Sequence, residues 1–209
     1  MIVAPAFGKN FVFEVLFLIT VVSGLPRSGT SLMMQMLVAG GLPALTDGLR
    51  SADENNPKGY FEWQPAKLLK QNPEAIADAE GKVVKIISAL LGHLPAMHDY
   101  RVLFMTRPLE EVVASQNRML ERLGKAVPQT PTAAVISAFQ KHLKEVDDLF
   151  AAKSYLKVMR VNHAEVLAQP RESAASIAGF VGTPLSVEQM AAQVERSLYR
   201  ERAGSCASR

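Results

Sequence analysis

The stretch ITVVSGLPRSGTSLMMQMLVA, residues 19–39, decides how this chain reads. Ile19–Ser23 is a short β-branched run, which predicts a strand. Gly24 and Gly29 bound the loop that follows. From about Thr30 to Ala39 the pattern is helical, and Gly40-Gly41 stops it. Glycines at both ends let such a loop curl tightly with its backbone N–H groups turned inward. The new helix adds free amides and the positive end of its dipole, so the concavity attracts an anion, most naturally a phosphate. Ser28, Thr30 and Ser31 supply hydroxyl donors, and Arg27 supplies a planar charged fork. A plain strand-to-helix turn is the alternative, and the density of donors argues against it.

Outward from this stretch, short β-branched runs alternate with longer helical patterns. Lys82–Ser88, Arg101–Thr106 and Tyr155–Val161 predict three further strands. Pro65 and Pro73 can each open a short helix, and Asn55 to Gly59 is a turn signal. Pro108 suits the first position of a helix running to Leu123, whose apolar residues fall on one stripe and which Gly124 closes. Pro131–Lys153 predicts a long helix, and residues 163–168, 171–180 and 186–197 three more. The mixed-sign face of the long helix (Lys141, Lys144, Glu145, Asp147, Asp148) reads as solvated. Strands separated by helices indicate an α/β fold with a parallel sheet covered on both faces. Open sheets of this kind bind ligands beyond the carboxyl ends of their strands.

Composition narrows the class. A chain of 209 residues buries about 70% of its unfolded surface, so it needs no disulfide or metal to fold. Residues 1–209 read as a single domain, with 1–17 an extension of unassigned role and 203–209 a flexible tail. With 48% apolar and 21% charged residues the usage is ordinary and globular, which excludes disordered and collagenous chains. The lone Cys206 excludes a disulfide framework and any multi-cysteine zinc site, and four scattered histidines exclude HExxH. A net charge of +3 suits an anionic small ligand as well as nucleic acid. Phe11–Val22 is an apolar run of twelve residues, interrupted by Glu14, too short to span a bilayer. It reads as the approach to a buried first strand; a targeting segment cleaved near Ser23-Gly24 is the alternative, and it would cut into the best motif in the chain. Without a convincing span or signal, the cytoplasm is the expected compartment, where a single thiol stays reduced.

The loop is almost a nucleotide-triphosphatase P-loop, GxxxxGK[ST], but Thr30 stands where that motif needs lysine. No predicted strand ends in the aspartate that would hold magnesium. A phosphate cradle is kept while the triphosphate and metal equipment is missing, so a single 5′-phosphate-type group fits better than ATP.

Pro26-Arg27-Ser28-Gly29-Thr30-Ser31-Leu32 resembles the 5′-phosphosulfate loop of sulfotransferases that use 3′-phosphoadenylyl sulfate (PAPS). Arg107 at a strand end, with Ser115 eight residues later in the following helix, is similar to that family's 3′-phosphate site. Arg160 to Gly182, with Glu165-Val166-Leu167 and Pro170, is similar to a later strand-helix segment. The resemblance covers roughly 60% of the chain. It implies a P-loop-like three-layer α/β domain with a central parallel sheet of four to five strands. It also implies PAPS as co-substrate, no metal, and Arg27, Ser28, Gly29, Thr30, Ser31, Arg107 and Ser115 as donor-binding residues. For Arg107 the competing reading is an ion pair with Glu110 or Glu111.

Sulfuryl transfer to a hydroxyl or amine requires charge neutralisation on the bridging oxygen, an aligned acceptor and a base. Arg27 and the loop amides suit the first. Cytosolic members place the base two residues beyond a strand lysine; Lys85 fits the lysine, but Ile87 stands where the histidine belongs. Other branches use a glutamate after the first helix. Glu62 is preferred here, Glu54 second, with Asp53 beside it; a solvated loop acid is the plain alternative for each. Lys85 could assist the leaving group. His93 and His98 are weaker bases, Tyr60 and Trp63 are possible acceptor-pocket walls, and one of Arg196, Arg200 and Arg202 could close the 3′-phosphate site. The acceptor is left open among small molecule, sugar, lipid and peptide, with no nucleic acid and no membrane span; oligomeric state is not legible. A nucleotide or small-molecule kinase, or a nucleotide-binding relic without catalysis, are the competing functions.

Overall fold

The computed structural model describes residues 18–48 and 59–194. The extension 1–17, Asp53, Glu54, the turn at 55–58, Arg196, Arg200, Arg202 and the tail lie outside the described residues. Five strands build the sheet: β1 (Leu18–Gly24), β2 (Ala44–Leu45), β3 (Val83–Lys85), β4 (Asp99–Thr106) and β5 (Leu156–Asn162). All pairings are parallel and the order is β2-β3-β1-β4-β5. The helices are α1 (Thr30–Ala39), α2 (Leu109–Arg122), α3 (Thr132–Ala152), α4 (His163–Ala168), α5 (Pro170–Val181) and α6 (Val187–Ala191). Short 3-10 turns span Gln64–Leu68, Pro73–Ala79 and Ser88–His93.

Strand alternation sorts the core into two faces. Ile19, Val21, Tyr100, Val102 and Phe104 turn one way, onto the 3-10 turns and α3 (Val146, Phe150). Val22, Leu103 and Met105 turn the other way, onto α1, α4, α5 and α6 (Met33, Val166, Ile177, Met190). A sheet buried on both sides requires apolar side chains at successive positions, which is why these strands read as near-continuous apolar runs. The three-layer α/β architecture expected from the alternation of elements is therefore present.

Three boundaries differ from expectation. The strand expected over Lys82–Ser88 is cut to Val83–Lys85, because its outer neighbour β2 supplies only two residues of ladder. Ile86 still donates its amide to the Val22 carbonyl at 3.0 Å, and the chain then turns into the unforeseen helix Ser88–His93. The edge strand β2 falls inside a stretch that reads as loop. The helix expected over 186–197 stops at Ala191, where Met190 is its one buried anchor.

The topology puts β1 at the centre of the sheet, between β3 and β4. The carboxyl ends of β1, β3, β4 and β5 thus line one edge, and the loop after β1, Lys85, Arg107 and His163 sit on or beside it.

Candidate functional site

The loop after β1 is held open as a cradle. Gly29, the residue before α1, has φ 105° and offers no side-chain cap to the helix. The first four amides of an α-helix have no partner inside it. Here Ser28 N–H is used within the loop, donating to the Leu25 carbonyl at 3.2 Å. The amides of Gly29, Thr30, Ser31 and Leu32 have no backbone acceptor among the described residues. An uncapped helix N-terminus at the end of a central strand is a ready anion site.

Among the described residues, two non-glycine residues adopt positive φ: Arg27 at 67° and Phe61 at 51°. Both flank the same cavity of about 390 Å³, which the loop lines together with Thr30, Ser31, Tyr60, Glu62, Trp63, Lys67, Lys85 and Met119. Backbone strain of this kind costs about 1–3 kcal/mol per residue and persists only where its surroundings over-determine it. At Phe61 they do: the next carbonyl, Glu62, accepts from the Thr46 hydroxyl at 2.9 Å and from the Asp47 amide at 3.1 Å. The Lys85 ammonium donates to the Tyr60 carbonyl on the other side and lies 6.0 Å from the Tyr60 ring centre. The segment 60–62 is thereby clamped, with the Glu62 side chain in the cavity wall and 3.8 Å from Lys67.

Arg27, Arg107 and Ser115 come together, although Arg107 and Ser115 are separated by two helical turns of sequence. Arg27 Nε donates to Ser115 Oγ at 3.1 Å, and Arg107 Nη1 donates to the Arg27 carbonyl at 3.2 Å. Arg107 Nε also donates to Glu111 Oε2 at 2.9 Å. The ion pair anticipated as the competing role of Arg107 thus exists, but it is buried, with side chains 8% and 5% exposed. It braces the strained carbonyl of Arg27 rather than dressing a surface. Thr30 and Ser31 line the cavity; Ser28 does not. Its hydroxyl is buried beneath the loop, where a Cβ on Gly24 would come within 2.5 Å of it.

His163 escaped the sequence reading, which noted it only as one of four scattered histidines. It is the first residue after β5, at the same sheet edge, and a Cβ on Gly29 would come within 2.5 Å of its Cδ2. Its place just past the carboxyl end of a parallel strand was the signal that could have found it. Burial, and then the charge of Arg107, push its pKa down to about 4, partly opposed by Glu111. A neutral imidazole therefore backs the loop. Because the folded value lies below the ordinary 6.5, the stability tied to it is complete above pH 6.5 and is lost as pH falls toward 4, at most about 3 kcal/mol. Urea unfolding at pH 7 and pH 4.5 should show this loss, and His163→Gln should flatten it; an unchanged pH slope in the variant would count against the assignment.

The weaker base candidates lie elsewhere. His98 pairs with Glu80 at 3.0 Å, and neither it nor His93 lines the cavity. Tyr60 and Trp63, buried at 6% and 7% exposure, do line it. Among the described residues no group of three or more His, Cys, Asp or Glu side chains is placed to hold a metal ion, and no helix is long and apolar enough to cross a membrane.

No protein-family model and no curated protein matches the chain. Among solved structures it is similar to a sulfotransferase domain from the curacin biosynthetic pathway, with a TM-score of 0.47 and 15% identity over 82% of this chain and 76% of that one. At that level the likeness by itself assigns no function.

Proposed function

We propose that this protein is a sulfotransferase that moves the sulfuryl group of PAPS to a hydroxyl or amine, working in the cytoplasm. The observation that carries the reading is the uncapped loop 24–31 with Arg27, Arg107 and Ser115 joined around it. Three cations (Arg27, Lys67, Lys85) face one carboxylate (Glu62) in the cavity wall, a balance that favours an anionic donor. The free amides of Gly29 to Leu32 would hold the 5′-phosphosulfate. Arg27 would neutralise charge growing on the bridging oxygen, and Lys85 stands across the cavity to assist. The Arg107 guanidinium and the Ser115 hydroxyl would donate to the 3′-phosphate end, with Arg107 exchanging part of its contact with Glu111 and with the Arg27 carbonyl. Glu62, held by the clamped segment 60–62, would take the acceptor's proton.

A kinase fits less well. Thr30 occupies the lysine position of a triphosphate loop, and the five described strands end at Gly24, Leu45, Lys85, Thr106 and Asn162, none of them an aspartate. Calorimetry separates the two: adenosine 3′,5′-bisphosphate should bind at least about tenfold more tightly than ATP with magnesium. Equal or reversed affinity would favour the kinase reading. Transfer of label from PAPS to any acceptor then separates an enzyme from a nucleotide-binding relic.

A further inference from the structure

The cavity has two unlike walls. One is the polar cradle with Arg27, Thr30 and Ser31. The other is mostly apolar and is assembled from separate elements: Trp63 and Ala66 at the first 3-10 turn and Ile86, Ile87 and Leu90 past the end of β3, with Glu62, Lys67 and Lys85 on the same segments; Met119 on α2 joins the two walls, its Sδ 4.0 Å from Arg27 Nη1. Ile87 is 51% exposed although it lines the cavity, so a large aliphatic side chain is held in water at its mouth. Exposed apolar surface continuous with a formed cavity marks a ligand site.

Resting on the sulfuryl-transfer reading of the same site, we propose that the acceptor is a compact, largely apolar alcohol or phenol seated against Trp63, Ala66, Ile86, Ile87, Leu90 and Met119. Size and polarity decide this. A volume of about 390 Å³ must also admit the sulfuryl end of the donor, which leaves room for a small body only. A sugar would press several hydroxyls against the apolar wall, and each hydroxyl stripped of water without a partner weakens binding about tenfold or more. An apolar body leaves its one hydroxyl to be satisfied by Glu62, which lines the same cavity. In the reaction the acceptor oxygen forms the new O–S bond and the bond from sulfur to the phosphate oxygen breaks. The bonding pair leaves with adenosine 3′,5′-bisphosphate, and the proton goes to the Glu62 carboxylate.

Trp63 is the chain's single tryptophan, so its emission reports on this wall without any turnover. The full chain is titrated with 4-tert-butylphenol and cyclohexanol, and with methyl glucoside and N-acetylserine amide as polar comparisons; adenosine 3′,5′-bisphosphate calorimetry runs in parallel. The apolar pair should shift Trp63 emission saturably and bind at least about tenfold more tightly than the polar pair. Ile87→Glu, at a half-exposed position that tolerates charge without unfolding, should weaken 4-tert-butylphenol binding about tenfold. Polar compounds binding as tightly as the phenol, or an unchanged phenol affinity in Ile87→Glu, would overturn the proposal. Nucleotide heat without phenol binding overturns the acceptor class alone. Phenol binding without nucleotide heat overturns the transferase reading instead.

Discussion

Gly29→Ala should lose most of its affinity for adenosine 3′,5′-bisphosphate and unfold several degrees below the parent protein. Two penalties combine at this position. Alanine is strained at φ 105°, a conformation that costs an L-residue about 1–2 kcal/mol. Its Cβ would also come 2.5 Å from His163 Cδ2, inside any real contact distance, and overpacking of this kind costs about 1–3 kcal/mol. The loop can escape only by moving, and movement misaligns the free amides that follow. A double-mutant cycle with His163→Ala separates the penalties: the second change removes the clash and leaves the backbone strain, so the pair should recover part of the lost stability. Strict additivity of the two losses would mean that His163 does not back the loop.

The second large effect is expected in catalysis. Glu62→Gln keeps the shape of the side chain and removes its ability to accept a proton. With labelled PAPS and 4-tert-butylphenol, kcat should fall about 100- to 10,000-fold, the range a positioned base supplies. Adenosine 3′,5′-bisphosphate affinity should stay within about threefold, because the cradle and the Arg107 contacts are built from other residues. A variant that retains full turnover would move the base elsewhere. The backbone carrying Glu62 is pinned from two directions, by Thr46 and Asp47 on its own carbonyl and by Lys85 on that of Tyr60.

Much of this was legible without coordinates because it depends on local chemistry. A β-branched run, a glycine-bounded loop and a helix start in that order leave backbone amides without partners, an arrangement that favours an anion. Alternation of strands and helices then sets a parallel sheet and its functional edge. The pairing of Arg107 with Ser115 was only suggested by resemblance. Spacing alone does not suggest it, since two turns of helix rise about 10 Å. The structure resolves this through a third residue: the Arg27 side chain reaches Ser115, while its carbonyl receives Arg107.

The sequence by itself determined the glycine-bounded loop between a strand and a helix and the layered α/β architecture, because backbone geometry and burial periodicity are written in neighbouring residues; that the loop holds an anion and that Glu62 is the base are proposals. Only the tertiary structure decided that His163, from the end of β5, stands behind Gly29, that Arg107 is shared between Glu111 and the loop, and that Lys85 clamps the segment carrying Glu62. Those contacts join residues up to 134 positions apart (163 minus 29). They exist because parallel strands bring their carboxyl ends to one edge, a relation set by sheet order and invisible to any local pattern.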